Sequence, residues 1–290
     1  VEMCYPLKLL LGNYLSVINH KAEAVIFYSG CDICNLTPIN HSYLEIFKKY
    51  NWSPQPYFCR INSKKDFVIS YISILKNVSK KPYPKIAGSI ALGINIYETL
   101  NILDQVFYNI RPTYKTFSKA EAHYNKYFSK IIETQKISDL KTINKDLATL
   151  FNTKIKQLPL NTLTIGLIGD SYSLAEPYIH HYIDKKLGSY GVIVDKWSEH
   201  RFLKKDSYHQ KELLPSIKAI IKNKYGVFTS LEIKKISRYI DRNYDGLIFI
   251  SPLSCNPNDA FRNLLSTIEK ETQTPVISFI CDEHTSPTGI

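Results

Sequence analysis

The residues best suited to chemistry in this chain are its six cysteines. Cys31 and Cys34 form a CxxC pair in Ser29-Gly-Cys-Asp-Ile-Cys. Two thiolates at that spacing converge on one metal centre, and thiolates are the soft ligands favoured by zinc and iron–sulfur clusters. Cys255 stands in Ser251-Pro-Leu-Ser-Cys-Asn-Pro, and Cys4 directly precedes an apolar pattern at helical spacing. Cys59 falls inside one apolar run and Cys281 ends another, so both are read as small buried hydrophobes. Cys4, Cys31, Cys34 and Cys255 are read as metal ligands. A structural zinc site generally draws on two close pairs in one small knuckle. Here one pair is close and the other ligands are distant, which suits an iron–sulfur cluster better and leaves zinc as the alternative cofactor. Thioredoxin-type redox use of the CxxC pair ranks third, because Pro38 interrupts the helix expected after it.

A second set of polar residues gathers where strands are expected to end. Ile165-Gly-Leu-Ile-Gly-Asp reads as a strand and a glycine turn, without GxGxxG or a Walker lysine. Asp170, Ser171 and Glu176 are candidates to line a ligand cleft, with a helix N-cap the competing role for Asp170 or Ser171. Asp282, Glu283 and His284 follow the last expected strand and stand as further cofactor-binding candidates, a turn being the alternative. His180 and His181 are read as surface or packing residues.

The elements that must position these groups follow from periodicity. Residues 24–28, 57–61, 163–169, 191–194, 246–250 and 275–280 are short apolar runs rich in β-formers. Between them, residues 6–18, 42–50, 65–77, 86–108, 176–187, 202–221, 230–242 and 259–270 carry helical spacing. Continuous apolar strands alternating with amphipathic helices predict an α/β fold of two Rossmann-like domains with mostly parallel sheets. Residues 120–134 and 137–156 have no strand between them and are read as a helical connector. The expected organisation is an N-terminal α/β domain over 1–112, the connector over 113–160 and a C-terminal α/β domain over 161–290. In such sheets ligands bind at the carboxyl ends of the strands, where most of the cysteines fall.

Length and composition bound the rest. The 290 residues suffice for two domains with their own cores. The longest uninterrupted apolar runs are too short to span a bilayer, no secretory signal opens the chain, and unexported thiols fit a cytoplasmic location. No membrane partner is expected. The net charge of +11 comes without a recognition motif or basic stripe, so a phosphate-bearing small molecule is a better partner for it than nucleic acid.

At these motifs the sequence resembles a known family. Met3-Cys-Tyr-Pro-Leu-Lys, Gly30-Cys-Asp-Ile-Cys, Ile165-Gly-Leu-Ile-Gly-Asp with Glu176-Pro177, Ser254-Cys-Asn-Pro and Asp282-Glu-His-Thr carry the likeness. It is to the CoA-protein-activase-related family of anaerobes, relatives of the 2-hydroxyacyl-CoA dehydratase iron–sulfur subunits, and it runs with gaps from end to end. The resemblance implies a [4Fe–4S] or double-cubane cluster held by Cys4, Cys31, Cys34 and Cys255. It implies an ATP-hydrolysing activator of the actin/Hsp70-like class as electron donor, a small and CoA-linked substrate, and a homodimer. A dehydratase-type subunit, and a non-catalytic binding module with structural zinc, are the alternative functions. The family's Arg and Gly-aromatic stretch after the CxxC is replaced by Asn35-Leu-Thr-Pro-Ile, and its Gly-His-Gly loop by Lys224-Tyr-Gly-Val-Phe-Thr. Against the family pattern, both terminal domains are expected to be truncated, the first by an opening strand–helix unit.

Overall fold

Short apolar strands that follow one another in the same direction need a helix to return the chain, and that constraint shapes both halves of the protein. The computed structural model describes residues 3–20, 22–29, 36–60, 64–196 and 226–284. The chain divides into two units: Val1–Ile90 with Ser254–Pro257, and Ala91–Leu253 with Asn258–Ile290.

The first unit is built on helix α1 (Tyr5–Ser16), strand β1 (Ala24–Ser29), helix α2 (Leu36–Lys49), strand β2 (Gln55–Arg60) and helix α3 (Lys64–Ser79). Pro6 stands in the first turn of α1, where its missing N–H costs no hydrogen bond. β1 and β2 run parallel, in register from Ala24 opposite Gln55 to Ser29 opposite Arg60. Their core gathers Leu7, Val25, Phe27, Ile39, Tyr43, Phe47 and Trp52. Tyr14 of α1 meets Phe27, Tyr43 and Phe47 edge-on, at centroid separations of 5.4, 5.7 and 5.8 Å. The polar tips of the buried aromatics reach backbone: Tyr43 Oη donates to the Leu7 carbonyl (2.7 Å) and Trp52 Nε1 to that of Ala22 (2.9 Å). That is how large amphipathic rings are buried without stranding a donor.

Helix α4 (Tyr83–Ile110) carries the chain from the first unit into the second. Its C-terminal half packs with α5 (Phe117–Ile132) and α6 (Ile137–Lys154) around Leu103, Phe107, Ile110, Ile131, Leu140 and Leu147. Thr116 caps α5 by accepting from the Lys119 N–H. Among the described residues, the stretch Tyr83–Thr113 is long and apolar enough by composition to cross a membrane, at a mean hydropathy of 1.3. Scattered polar residues had hidden this in a count of uninterrupted apolar runs.

The second sheet holds four parallel strands in the order β4-β3-β5-β6: β3 (Thr164–Gly169), β4 (Ile193–Asp195), β5 (Gly246–Pro252) and β6 (Val276–Cys281). Between them the described helices are α7 (Ser171–Ala175), α8 (Ile183–Ser189), α9 (Gly226–Asp241) and α10 (Asn256–Thr272). Every residue of β5 is buried. Ile233, Ile236 and Tyr239 of α9, with Phe261, Leu265 and Ile268 of α10, close the core over Ile168, Leu247 and Phe249. The edge strand β6 is covered less fully, with Ile277 and Ile280 exposed.

The architecture is therefore α/β, mostly helical, with two small parallel sheets. One expected helix divides: residues 176–187 form a loop and then α8. Pro177 cannot donate to a continuing helix, and His181 and Tyr182 adopt left-handed backbone (φ 48° and 58°). The expected helix over 202–221 lies outside the described residues.

Candidate functional site

Three groupings of reactive side chains emerge from this scaffold. The first is the thiols. Cys4 occupies the N-cap position of α1, and its carbonyl accepts from the Leu7 and Lys8 amides (3.0 and 3.3 Å). Cys255 directly precedes α10 and follows Ser254, whose φ of +62° turns the chain out of β5. Both cysteines are half-buried, and both belong to the first unit. Cys31 and Cys34 lie outside the described residues; in sequence they fall between the end of β1 and the start of α2. Cys59 is fully buried in β2, with its Sγ 3.6 Å from Ser70 Oγ. Among the described residues no three His, Cys, Asp or Glu side chains group as a metal site.

The second grouping sits at the carboxyl ends of β3 and β5. Strand order reverses beside β3, which makes this end the topological switch point of the sheet. Gly169 closes β3 with φ +149°, and a Cβ there would stand 2.2 Å from the Ile250 carbonyl oxygen, so only glycine fits. Its amide donates to Glu232 Oε2 (2.9 Å). Asp170 then caps α7: Oδ1 accepts from the amides of Tyr172 (3.1 Å) and Ser173 (2.9 Å), and Oδ2 from Asn258 Nδ2 (3.2 Å) on α10. Burial pushes the Asp170 carboxyl above its ordinary range despite those bonds. At the end of β6, burial raises the Cys281 thiol to about 11, with the Asp282 and Asp170 carboxylates adding to the effect. Both effects favour the neutral thiol at Cys281.

Asp282 Oδ1 accepts from the His284 amide (2.8 Å), so Asp282, Glu283 and His284 form a turn after β6. Glu176, half-buried, folds onto its own loop by accepting from the Tyr178 amide (3.1 Å). Asp170 is therefore brought to Asn258 and into electrostatic reach of Cys281.

The third grouping had no signal in the sequence. Arg111, at the end of α4, forms an ion pair with Glu121 of α5, and Lys185 of α8 approaches the other Glu121 oxygen (2.5 Å). Burial works to raise the Glu121 carboxyl, but the bonds from Arg111 and Lys185 outweigh it and hold it low. Gly188 leaves room for the Arg111 side chain, since a Cβ would fall 2.5 Å from Arg111 Cδ. Beside this clasp, Lys196 reaches Asp184 (3.3 Å), Asp184 lies 4.0 Å from His180 Nδ1, and Tyr124 donates to Asp104 (2.7 Å). His180 is buried with neither ring nitrogen hydrogen-bonded. Burial lowers its pKa to about 4, so the ring is neutral. The partners are far apart in sequence, and Arg111-Pro112 reads from sequence only as a helix breaker.

No protein-family model matches the chain, and no curated protein matches it.

Proposed function

We propose that the protein is an iron–sulfur redox protein of a cytoplasmic, ATP-dependent electron-transfer system, with Cys4, Cys31, Cys34 and Cys255 as the cluster ligands. The observation that carries this reading is that Cys4 and Cys255, from opposite ends of the chain, belong to one unit and each stands at the head of a helix. The CxxC pair falls in the same unit by sequence position. A helix N-terminus carries partial positive charge, which favours the thiolate over the thiol and offsets the negative charge of a thiolate-ligated centre. The first turn of α1 holds no acidic residue to cancel that field. Cys59 and Cys281 are fully buried in strands, and this reading leaves both out of the ligand set as small buried hydrophobes.

When bound, such a cluster supplies one-electron chemistry at a potential set by burial and by hydrogen bonds to sulfur. The chain's own task is to hold four thiolates and exclude water from them. In this reading an ATP-hydrolysing activator of the actin/Hsp70-like class delivers the electrons. The small, CoA-linked substrate binds near the carboxyl ends of β3 and β5, where Asp170 and Asn258 fix the backbone. Both sheets are then cores of Rossmann-like domains, and the basic surface suits a phosphate-bearing substrate.

The test is anaerobic purification of the full chain followed by iron, sulfide and zinc quantitation. The proposal expects iron and acid-labile sulfide in matching amounts with a brown absorbance. Zinc alone, or no metal under strict anaerobiosis, overturns it in favour of a structural-zinc or metal-free binding module.

A further inference from the structure

Residues 67–97 contain four lysines (Lys76, Lys80, Lys81 and Lys85) and no aspartate, glutamate, arginine or histidine. The lysines concentrate where α3 turns into α4, and every residue from 77 to 85 is exposed. The turn is built rather than loose. Lys76 Nζ donates to the Lys81 carbonyl (2.9 Å) and stands 5.3 Å from the centroid of the Tyr83 ring, which orders both ends of the loop. Ser79 Oγ accepts from the Lys81 amide (3.3 Å), and the Lys80 amide bonds the Lys76 carbonyl (3.0 Å). Among the lysines are apolar groups that the fold leaves uncovered: Val78 is 47% and Tyr83 60% exposed, beside Pro82 and Pro84. The helix leading in, Phe67–Ser79, is itself apolar.

We propose that the α3–α4 turn docks the protein on an anionic membrane surface. Its charge calls for an acidic partner, and a second copy would set the same four lysines against themselves. An acidic protein groove would match the charge but not the mixture. Lysines interleaved with a tyrosine, a valine and two prolines are suited to the lipid interface, where tyrosine rings sit at headgroup level and ammonium groups reach anionic phosphates. This is contact with one face of a bilayer, so it needs no spanning segment.

The test is co-sedimentation of the full chain with vesicles of phosphatidylcholine, with and without phosphatidylglycerol, at low and high salt. Expected is binding to the phosphatidylglycerol vesicles alone, weakened by salt, and reduced at least roughly tenfold in a Lys80→Glu/Lys81→Glu/Lys85→Glu variant. Tyr83→Ser should weaken binding at unchanged charge. A Lys130→Glu/Lys141→Glu/Lys145→Glu variant, with the same charge change on α5 and α6, should bind as the parent does. Matching circular dichroism spectra show that each variant is folded. Equal loss in the two triple variants would overturn the proposal in favour of bulk charge. Absence of binding to phosphatidylglycerol vesicles at low salt would overturn it outright, as would capture of polyglutamate through these lysines without any vesicle binding.

Discussion

The two units hold themselves together by different means. In the first, the described core is aromatic and aliphatic around two strands, and Asn40 is its one fully buried polar side chain. In the second, a four-stranded sheet is accompanied by buried Arg111, His180, Asp184, Glu232 and Lys235. A two-stranded parallel sheet is marginal by itself and depends on the helices packed over it. The central strand β5 is paired on both edges and covered by α9 and α10, which buries it at every position. The difference is a division of labour: among the described residues the unit that carries most of the thiols buries no charged side chain, while the other uses charge to lock helices in place. Buried pairs of this kind constrain geometry, and removing one partner leaves a charge without compensation.

The largest effect should come from breaking the clasp of the second unit. Glu121→Ala strands Arg111 and Lys185 and is expected to cost about 3–5 kcal/mol in denaturant unfolding. Gly169→Ala forces a side chain against the Ile250 carbonyl in a backbone region disfavoured for other residues, and should cost roughly 3 kcal/mol. Acid should weaken the second unit more gradually. The His180 ring is held neutral, with a folded pKa of about 4 against an ordinary 6.5. Its contribution is whole above about pH 6.5 and is lost as the pH falls toward 4, a ceiling of roughly 3 kcal/mol. Asp184, held low chiefly by the Lys196 ammonium against the upward push of burial, adds its own loss only as the pH falls below 3.8. A His180→Gln variant should show a shallower fall in unfolding midpoint between pH 6.5 and 4.5. The smallest effect belongs to the exposed Lys48–Glu45 pair of the first unit, where Lys48→Ala should change stability by less than about 0.5 kcal/mol. If Glu121→Ala proved as mild as Lys48→Ala, the contrast between the units would fail.

Much of this was legible in the sequence. Gly246-Leu-Ile-Phe-Ile is a continuous apolar run, and it is the fully buried β5. Asp170, ahead of a short helical turn, was legible as a candidate N-cap, and it caps α7. Period alone missed that 176–182 is a loop and that α8 begins only at Ile183, because apolar spacing continues through Pro177 while the backbone turns left-handed at His181 and Tyr182. The Arg111–Glu121–Lys185 clasp was illegible for a different reason. Its members lie just after α4 and on α5 and α8, and only tertiary packing brings a surface-type residue such as Arg111 to 3% exposure. Cysteine placement relative to strand ends was readable, because strands and their ends are marked by local apolar runs and turn residues.

The most direct test of the central claim is the electron paramagnetic resonance spectrum of anaerobically purified, dithionite-reduced protein, compared across single cysteine variants. The account predicts a reduced-cluster signal in the parent chain and in Cys59→Ser, and its loss or marked alteration in Cys4→Ser and Cys255→Ser. A signal that survives unchanged in Cys4→Ser and Cys255→Ser would contradict the account, as would no signal from fully reduced parent protein.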